Sequence, residues 1–116
     1  MVLLASCTAR DVRRGRRLLQ RGDAAGALVA FTAAAEAAPT EGARWLELAR
    51  AALVAQRYGV AREAFGRLAA LRPRDPRPLV EIGFTWELER AYARALEAYG
   101  DAIERAPRSA YAHRAL

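Results

Sequence analysis

Apolar residues recur along this chain at helical spacing, in blocks that repeat. In one segment Trp45, Leu48, Ala49 and Ala52 follow the i, i+3, i+4, i+7 pattern of an amphipathic helix. The pattern returns 34 residues later at Leu79, Ile82, Gly83 and Trp86. A fixed period of this length predicts a tandem array of helical units, and no alternating strand pattern competes with it.

Each block also contains a second helix signal, an alanine followed four residues later by an aromatic ring. The pairs are Ala27 with Phe31, Ala61 with Phe65, and Ala95 with Tyr99. Residues four apart share one helix face, so the small side chain allows a neighbouring helix to approach while the ring fills the remaining space. The pairs therefore predict a second helix in every block, packed closely against the first.

The block boundaries are marked by Pro39, Pro73 and Pro107, which stand 34 residues apart. A proline cannot continue an α-helix, so each one predicts the end of a block. Turn residues within the blocks lie at 21–23, 57–59 and 90–92. The expected organisation is three helix-turn-helix units over residues 8–41, 42–75 and 76–109, with residues 110–116 starting a further or capping helix.

In this arrangement the chain resembles the tetratricopeptide repeat family. The positions that carry the resemblance are Gly15, Leu18, Gly22, Ala27, Phe31 and Pro39 in the first block, Trp45, Leu48, Ala49, Tyr58, Ala61, Phe65 and Pro73 in the second, and Gly83, Tyr92, Ala95, Tyr99 and Pro107 in the third. The resemblance implies an all-α fold, an α-solenoid of three tandem repeats forming a right-handed superhelix. It also implies a concave groove that usually holds a peptide or a partner's helix.

The first block fits the family pattern least well. Asp11 and Arg14 occupy positions that are apolar in the family, and Gln56 replaces the turn glycine of the second block. We therefore expect the opening helix to be poorly packed, and either to fray or to act as a cap.

By the same resemblance, the groove is lined by the first helix of each repeat. The candidate partner-binding residues are Val12, Arg16, Leu19, Leu46, Arg50, Leu53, Arg77, Val80, Phe84 and Glu87. Arg16 and Arg50 stand at equivalent positions in successive repeats, so both could pair with carboxylates of one bound segment. The family members that grip a chaperone's C-terminal carboxylate use lysine and asparagine at fixed positions. Here those positions hold Val12, Arg16, Glu47, Arg77 and Glu81, which disfavours that ligand.

The extreme N-terminus resembles the end of a bacterial lipoprotein signal. Leu4-Ala5-Ser6-Cys7 has the order of the cleavage box, in which the cysteine is lipidated. Residues 1–7 are thus a possible signal remnant, truncated because no charged start or long apolar core precedes the box; a start codon assigned too far downstream would explain that. The expected location is the bacterial cell envelope, on the periplasmic side and lipid-anchored through Cys7, and otherwise the cytoplasm. An ordinary thiol in a terminal segment is the alternative.

Charge supplies a second hypothesis about function. The net charge is +6, and all 19 basic residues are arginine, which also fits the codon bias of a GC-rich genome. The excess is concentrated in residues 1–22, which carry six arginines against Asp11. The first helix could therefore dock on nucleic acid or anionic lipid, with nucleic acid the less favoured of the two.

Candidate chemistry is sparse. His113 has no neighbouring histidine or cysteine, Cys7 lacks a base, and no phosphate-binding glycine loop is present. Acidic residues are interspersed with arginines, so we expect solvated ion pairs of Glu97 with Arg94 and of Asp101 with Arg105. We therefore expect no enzyme, cofactor or metal site.

The favoured function is a protein-interaction scaffold that binds a protein or peptide, in an envelope lipoprotein assisting assembly of pili, secretion or outer-membrane machinery. The oligomeric state is left open.

Overall fold

The structure, a computed structural model, describes the backbone of residues 2–114 and the side chains of residues 8–114. Within this range the chain forms helices and no strands, as the all-α prediction requires. The seven helices are α1 (Val2–Gln20), α2 (Ala24–Ala37), α3 (Gly42–Val54), α4 (Tyr58–Leu71), α5 (Arg77–Leu88), α6 (Tyr92–Arg105) and α7 (Ala110–Arg114). The chain divides into two compact units between Ala64 and Phe65, a point that lies within α4.

One backbone device makes the turn inside each repeat. Gly22, Gln56 and Arg90 stand at the same position of their repeats, and all three have a left-handed backbone, with φ of 81°, 56° and 61°. The following amide donates back to the helix, from Asp23 to Leu18 O, from Arg57 to Ala52 O and from Ala91 to Trp86 O, at 2.8–2.9 Å. This hydrogen bond closes a Schellman-type C-cap.

The left-handed residue also corrects two predicted turns. The sequence placed turns at 57–59 and 90–92, but α4 begins at Tyr58 and α6 begins at Tyr92. Each turn comes earlier because the left-handed residue ends the first helix without glycine. The prolines end the blocks as predicted: α2, α4 and α6 each stop two residues before Pro39, Pro73 and Pro107.

Unit one is built on the close contact of α1 with α2, with α3 packed on α2. Gly15 lies directly against the buried ring of Phe31, and a Cβ at residue 15 would be 2.7 Å from Phe31 Cε1. Alanines supply much of the rest of the core, including Ala27, Ala34 and Ala49. The expectation of a poorly packed opening helix holds only in part: α1 buries Thr8, Val12 and Gly15 along one face, but Arg14 is exposed where the second repeat buries Leu48.

Unit two repeats the same contact between α5 and α6, where Gly83 lies against the ring of Tyr99. The fully buried Thr85 donates its hydroxyl to Ile82 O at 2.6 Å, so the interior polar group is satisfied.

Helix α7 packs on α6 and α5. His113 lies on this helix, with its Nε2 2.7 Å from Pro107 O, and Trp45 Nε1 donates to Pro39 O at 2.8 Å at the equivalent position of the second repeat. The position of Trp45 predicts a packing residue at 113, but His113 is exposed and its ring hydrogen-bonds to the backbone instead.

Candidate functional site

Two predicted groove helices, α1 and α3, are joined by a pair of hydrogen bonds between charged side chains. Arg16 Nε donates to Glu47 Oε2 at 3.0 Å, and Arg16 Nη2 donates to Glu47 Oε1 at 2.9 Å. This two-bond geometry is the strongest that arginine makes with a carboxylate. Arg16 was expected to pair with a partner's carboxylate, but in this structure Glu47 holds it.

A second arginine, Arg44, shares the same carboxylate. Its Nη1 donates to Glu47 Oε1 at 3.0 Å, and its Nε lies 3.4 Å from Glu41 Oε2. That Nε is buried and makes no hydrogen bond, so its contact with Glu41 is an ion pair only. Glu47 therefore bonds to two guanidinium groups with a single negative charge, and its side chain is only 21% exposed.

Beside this network lies a cleft of about 540 Å³ between α1, the α2–α3 connection and the start of α3. The buried Val12 forms part of its lining, and Arg13 and Arg16 line it from the same helix. The other walls come from Thr8, Ala9, Ala37, Ala38, Pro39, Thr40, Glu41 and Arg44. The volume of the cleft is in the range of ordinary ligand pockets. Its lining is positively charged, because it contains three arginines and only one acidic residue, Glu41.

The remaining predicted residues of unit one lie on the same two helices. Leu19, Leu46 and Leu53 are half-buried, so each presents only part of its side chain. Arg50 is exposed on α3, one turn beyond Glu47, and within residues 8–114 it makes no ion pair or side-chain hydrogen bond. Of the two arginines that were expected to meet a partner, Arg50 is the free one.

Unit two has its own predicted groove residues on α5, beginning with Arg77. Asp75 accepts bonds from Arg77 Nη2 at 2.8 Å and from the Arg77 backbone N–H at 3.0 Å. The side-chain hydrogen bond from Arg77 is the main cause that lowers the pKa of Asp75 from its ordinary value of 3.8. Arg77 thus helps to start α5, and its charge is neutralised within the chain.

The other α5 residues differ in availability. Glu87 accepts a hydrogen bond from the Tyr99 hydroxyl; burial, and after it this bond, raise the pKa of Tyr99. Val80 is half-buried, whereas Phe84 is 47% exposed. Phe84 is therefore the accessible apolar residue among those predicted on this helix.

The expected ion pairs on α6 do not form. Arg94 lies instead over the ring of Trp86, 4.9 Å from its centroid, and Arg105 Nη1 donates to Ala69 O at 2.8 Å. Glu97 and Asp101, their expected partners, are exposed. Arginine has a long, flexible stem, and here a ring face and a helix-end carbonyl replace the neighbouring carboxylates as its partners.

Chemistry-bearing groups are dispersed over the part of the chain that the structure describes. No three histidine, cysteine, aspartate or glutamate residues within it could hold a metal ion. None of its helices combines the length and apolar character needed to cross a membrane. The side chain of Cys7, the predicted lipidation site, lies outside the described residues.

A family model described as tetratricopeptide repeat matches residues 18–79, just over half of the chain. The chain belongs to the tetratricopeptide repeat family. The match agrees with the two-helix repeats, their left-handed turn residue and the glycine–ring contacts described above. No curated protein matches the chain in sequence.

Solved structures show the same repeat fold. A CopN–Scc3 complex is similar with a TM-score of 0.75 and 21% identity, over 92% of this chain and 63% of that one. The first tetratricopeptide domain of Spaghetti (RPAP3), bound to the HSP90 peptide SRMEEVD, is similar with a TM-score of 0.68 and 16% identity, over 94% of this chain and 86% of that one. The TPR2B domain of yeast Sti1 in its pHsp70 complex is similar with a TM-score of 0.68 and 18% identity, over 86% of this chain and 80% of that one. This chain spans less than two thirds of the CopN–Scc3 chain that it matches.

Sequence reasoning missed part of the cleft in the first repeat. Arg13 and Arg44 line it, as does the α2–α3 connection from Ala37 to Glu41. These residues lie outside the groove positions transferred from the family. One sequence signal could have indicated the charged wall of the cleft. Arg44 has an acidic residue three positions away on each side, Glu41 and Glu47, which is the spacing of ion pairs on a helix.

Proposed function

We propose that this protein is a non-enzymatic interaction module that binds an acidic peptide segment along the α1–α3 face. The observation that carries the proposal is the cleft of about 540 Å³, lined by Val12, Arg13 and Arg16 on one helix and by Arg44 on another. Membership of the tetratricopeptide repeat family and its likeness to peptide-bound structures support the same class of ligand.

The available charges favour an acidic ligand. Arg16 and Arg44 are held by Glu47, whereas Arg13 in the cleft and Arg50 on α3 have no ion pair within residues 8–114. An unpaired arginine can bind a carboxylate through two parallel hydrogen bonds without first losing an internal partner. Leu46 and Leu53 would supply apolar contact beside Arg50. A chaperone C-terminus is a poorer candidate, because the two cations at the positions that grip such a carboxylate, Arg16 and Arg77, are paired with Glu47 and Asp75.

The test starts from a display library of short random peptides selected on the purified protein. Enrichment of acidic peptides is expected, and one selected peptide is then measured by fluorescence anisotropy. Arg50→Gln should weaken its binding about 10-fold, since a charge-assisted hydrogen bond contributes about 1.5–3 kcal/mol. Arg13→Gln should also weaken it.

Arg57→Gln is the matched control, because Arg57 is exposed at the turn before α4 and the substitution makes the same change in net charge. Binding by this control should be unchanged. If Arg50→Gln and Arg57→Gln weaken binding equally, the effect comes from net charge and Arg50 has no specific role. Failure to enrich any peptide would contradict the proposed function itself.

We also propose that the module acts in the bacterial cell envelope, anchored by a lipid on Cys7, and helps to assemble pili, secretion or outer-membrane machinery. Support comes from the order Leu4-Ala5-Ser6-Cys7 in the sequence. Expression in a bacterium from the natural gene, followed by mass spectrometry of the N-terminal peptide, tests it. A free Cys7 thiol together with recovery in the soluble fraction would overturn this proposal, and the peptide-binding proposal would stand unaffected.

A further inference from the structure

A continuous stripe of four arginines runs along the outer face of α1 and ends at Arg21, the first residue beyond this helix. Arg10, Arg14, Arg17 and Arg21 are spaced by four, three and four residues, and all are exposed. At about 100° per residue these positions fall within an arc of about 60°, along a length of about 16 Å. Val12 and Gly15, which are buried, lie on the opposite side of the helix. The stripe is therefore directed away from the body of unit one.

Comparison of the repeats shows that this face is unusual. In the second and third repeats, the positions equivalent to Arg14 and Arg17 hold Leu48 and Ala51, and Ile82 and Thr85. Leu48, Ala51 and Thr85 are buried, at 4%, 1% and 0% exposure, and Ile82 is half-buried. In the first repeat, exposed arginines thus stand at positions that the other repeats fill with buried or half-buried residues. Such a face does not suit an apolar helix and attracts an anionic surface instead.

The stripe is not neutralised within the chain. Within residues 8–114 none of its four arginines forms an ion pair, in contrast with Arg16, which Glu47 holds. Asp11 is the sole acidic residue before Asp23 in the sequence. The full charge of the stripe is consequently available to a partner outside the molecule.

We propose that this stripe docks the protein on an anionic membrane surface, with α1 lying in the plane of the lipid headgroups. Clusters of four to eight arginines or lysines on a helix are typical of binding to acidic phospholipids, and each cation near the surface contributes measurably.

Single-stranded nucleic acid is a poorer match for this face. Proteins that bind single strands combine basic residues with exposed aromatic rings on which bases stack. Helix α1 contains no aromatic residue, and the ring nearest to it, Phe31, is buried. The membrane is therefore the proposed partner, and nucleic acid enters as a competing outcome of the test.

The experiment is co-sedimentation of the purified full chain with vesicles of phosphatidylcholine alone or of phosphatidylcholine and phosphatidylglycerol in equal amounts. Binding is expected only to the anionic vesicles, and it should be lost between about 0.1 M and about 1 M salt, where screening becomes strong. The variant Arg14→Gln/Arg17→Gln/Arg21→Gln should partition about 100-fold more weakly, as expected from the contribution of each cation.

The matched control is Arg57→Gln/Arg74→Gln/Arg108→Gln, because all three are exposed and both triple variants lower the net charge from +6 to +3. This control should retain most of the binding. Circular dichroism confirms that each variant is folded. The charge-conserving variant Arg14→Lys/Arg17→Lys/Arg21→Lys should bind like the natural chain, and it carries the test if the glutamine variant does not fold.

Three outcomes would overturn the proposal. Equal losses in the stripe and control variants would show that only net charge matters. Binding that is lost in the lysine variant would show that the charge of the stripe is not the cause. Tighter binding to single-stranded DNA or to duplex DNA than to anionic vesicles at the same salt concentration would assign the stripe to nucleic acid. Peptide binding by the α1–α3 face should survive in the stripe variant, so the two proposals can fail separately.

Discussion

Gly15 and Phe31 set the distance between the first two helices. The ring of Phe31 occupies the space that any side chain at residue 15 would need, since a Cβ there would lie 2.7–2.9 Å from three ring atoms. Gly83 and Tyr99 repeat the relationship in the third repeat. The close packing of the first and third helix pairs therefore depends on the absence of one methyl group, whereas the second repeat has Ala49 at the equivalent position.

The first prediction is that Gly15→Ala destabilises the protein. Overpacking a core costs about 1–3 kcal/mol, while replacing glycine by alanine inside a helix contributes about 1 kcal/mol of stability. Phe31 is only 3% exposed, so its ring has little room to move and the cost lies in the upper part of this range; we expect a net loss of up to about 2 kcal/mol. Urea unfolding measures it.

Gly66→Ala is the control for that substitution. Gly66 also lies inside a helix, but nothing occupies the space within 4 Å of a Cβ at this position. Its replacement should stabilise the protein by about 0.5–1 kcal/mol through helix propensity alone. A similar effect at both glycines would contradict the close-approach explanation.

The second prediction concerns the left-handed turn residues. Gln56 has a φ of 56°, a conformation that costs a residue with a Cβ about 1–2 kcal/mol. Gln56→Gly should therefore stabilise the protein by about 1 kcal/mol, and Arg90→Gly should act in the same direction. Thermal unfolding with van't Hoff analysis is the measurement.

The converse substitution, Gly22→Ala, tests the same physics with the opposite sign. No atoms lie within 4 Å of a Cβ added at Gly22, so the substitution causes no clash. Any loss of stability must come from the φ of 81°, which disfavours a residue with a Cβ. We expect a loss of about 1 kcal/mol. A neutral result would mean that the turn adjusts its backbone freely.

A third prediction follows from the lowered pKa of Asp75. Its stabilising contribution is fully present above the ordinary carboxyl pKa of 3.8 and is lost as the pH falls through the lower value in the folded protein. Asp75→Asn should thus destabilise the protein at about pH 6 and much less at about pH 2. Asp101→Asn, at an exposed position of α6, makes the same change in net charge and is the control for that change. Urea midpoints at both pH values decide between them.

The fourth prediction is that Glu47→Gln strengthens the binding of an acidic peptide. Glu47 holds both Arg16 and Arg44, and neutralising it frees two guanidinium groups on the proposed peptide-binding face. We expect about 5- to 10-fold tighter binding in anisotropy titrations, together with lower stability from the broken pair. The effect should shrink at high salt.

Glu36→Gln serves as the control for that change. Glu36 is exposed on α2, and its substitution makes the same change in net charge. Affinity for the peptide should be unaffected. If the two variants tighten binding equally, the pairing of Glu47 with the two arginines has no role in ligand binding.

The sequence by itself determined the repeat register and the approximate position of the helices. These depend on residues that are near in the chain: a proline after each helix pair, and an alanine four residues before an aromatic ring. Each acts through local backbone geometry or helix periodicity, which a pattern of residue types reproduces. The left-handed turn residues and the contacts of Gly15 and Gly83 with rings came from the structure. The family resemblance added the helices on which a partner was expected.

Tertiary structure decided which charged side chains are free. Arg16 bonds to Glu47, 31 residues away, and Arg105 bonds to Ala69 O, 36 residues away, while Arg50 and the α1 stripe have no such partner within residues 8–114. Arginine side chains are long and can reach several acceptors, so their choice depends on what packing brings near and not on spacing in the chain. The distinction between a neutralised and an available arginine is what separates the peptide-binding face and the membrane stripe from the rest of the surface.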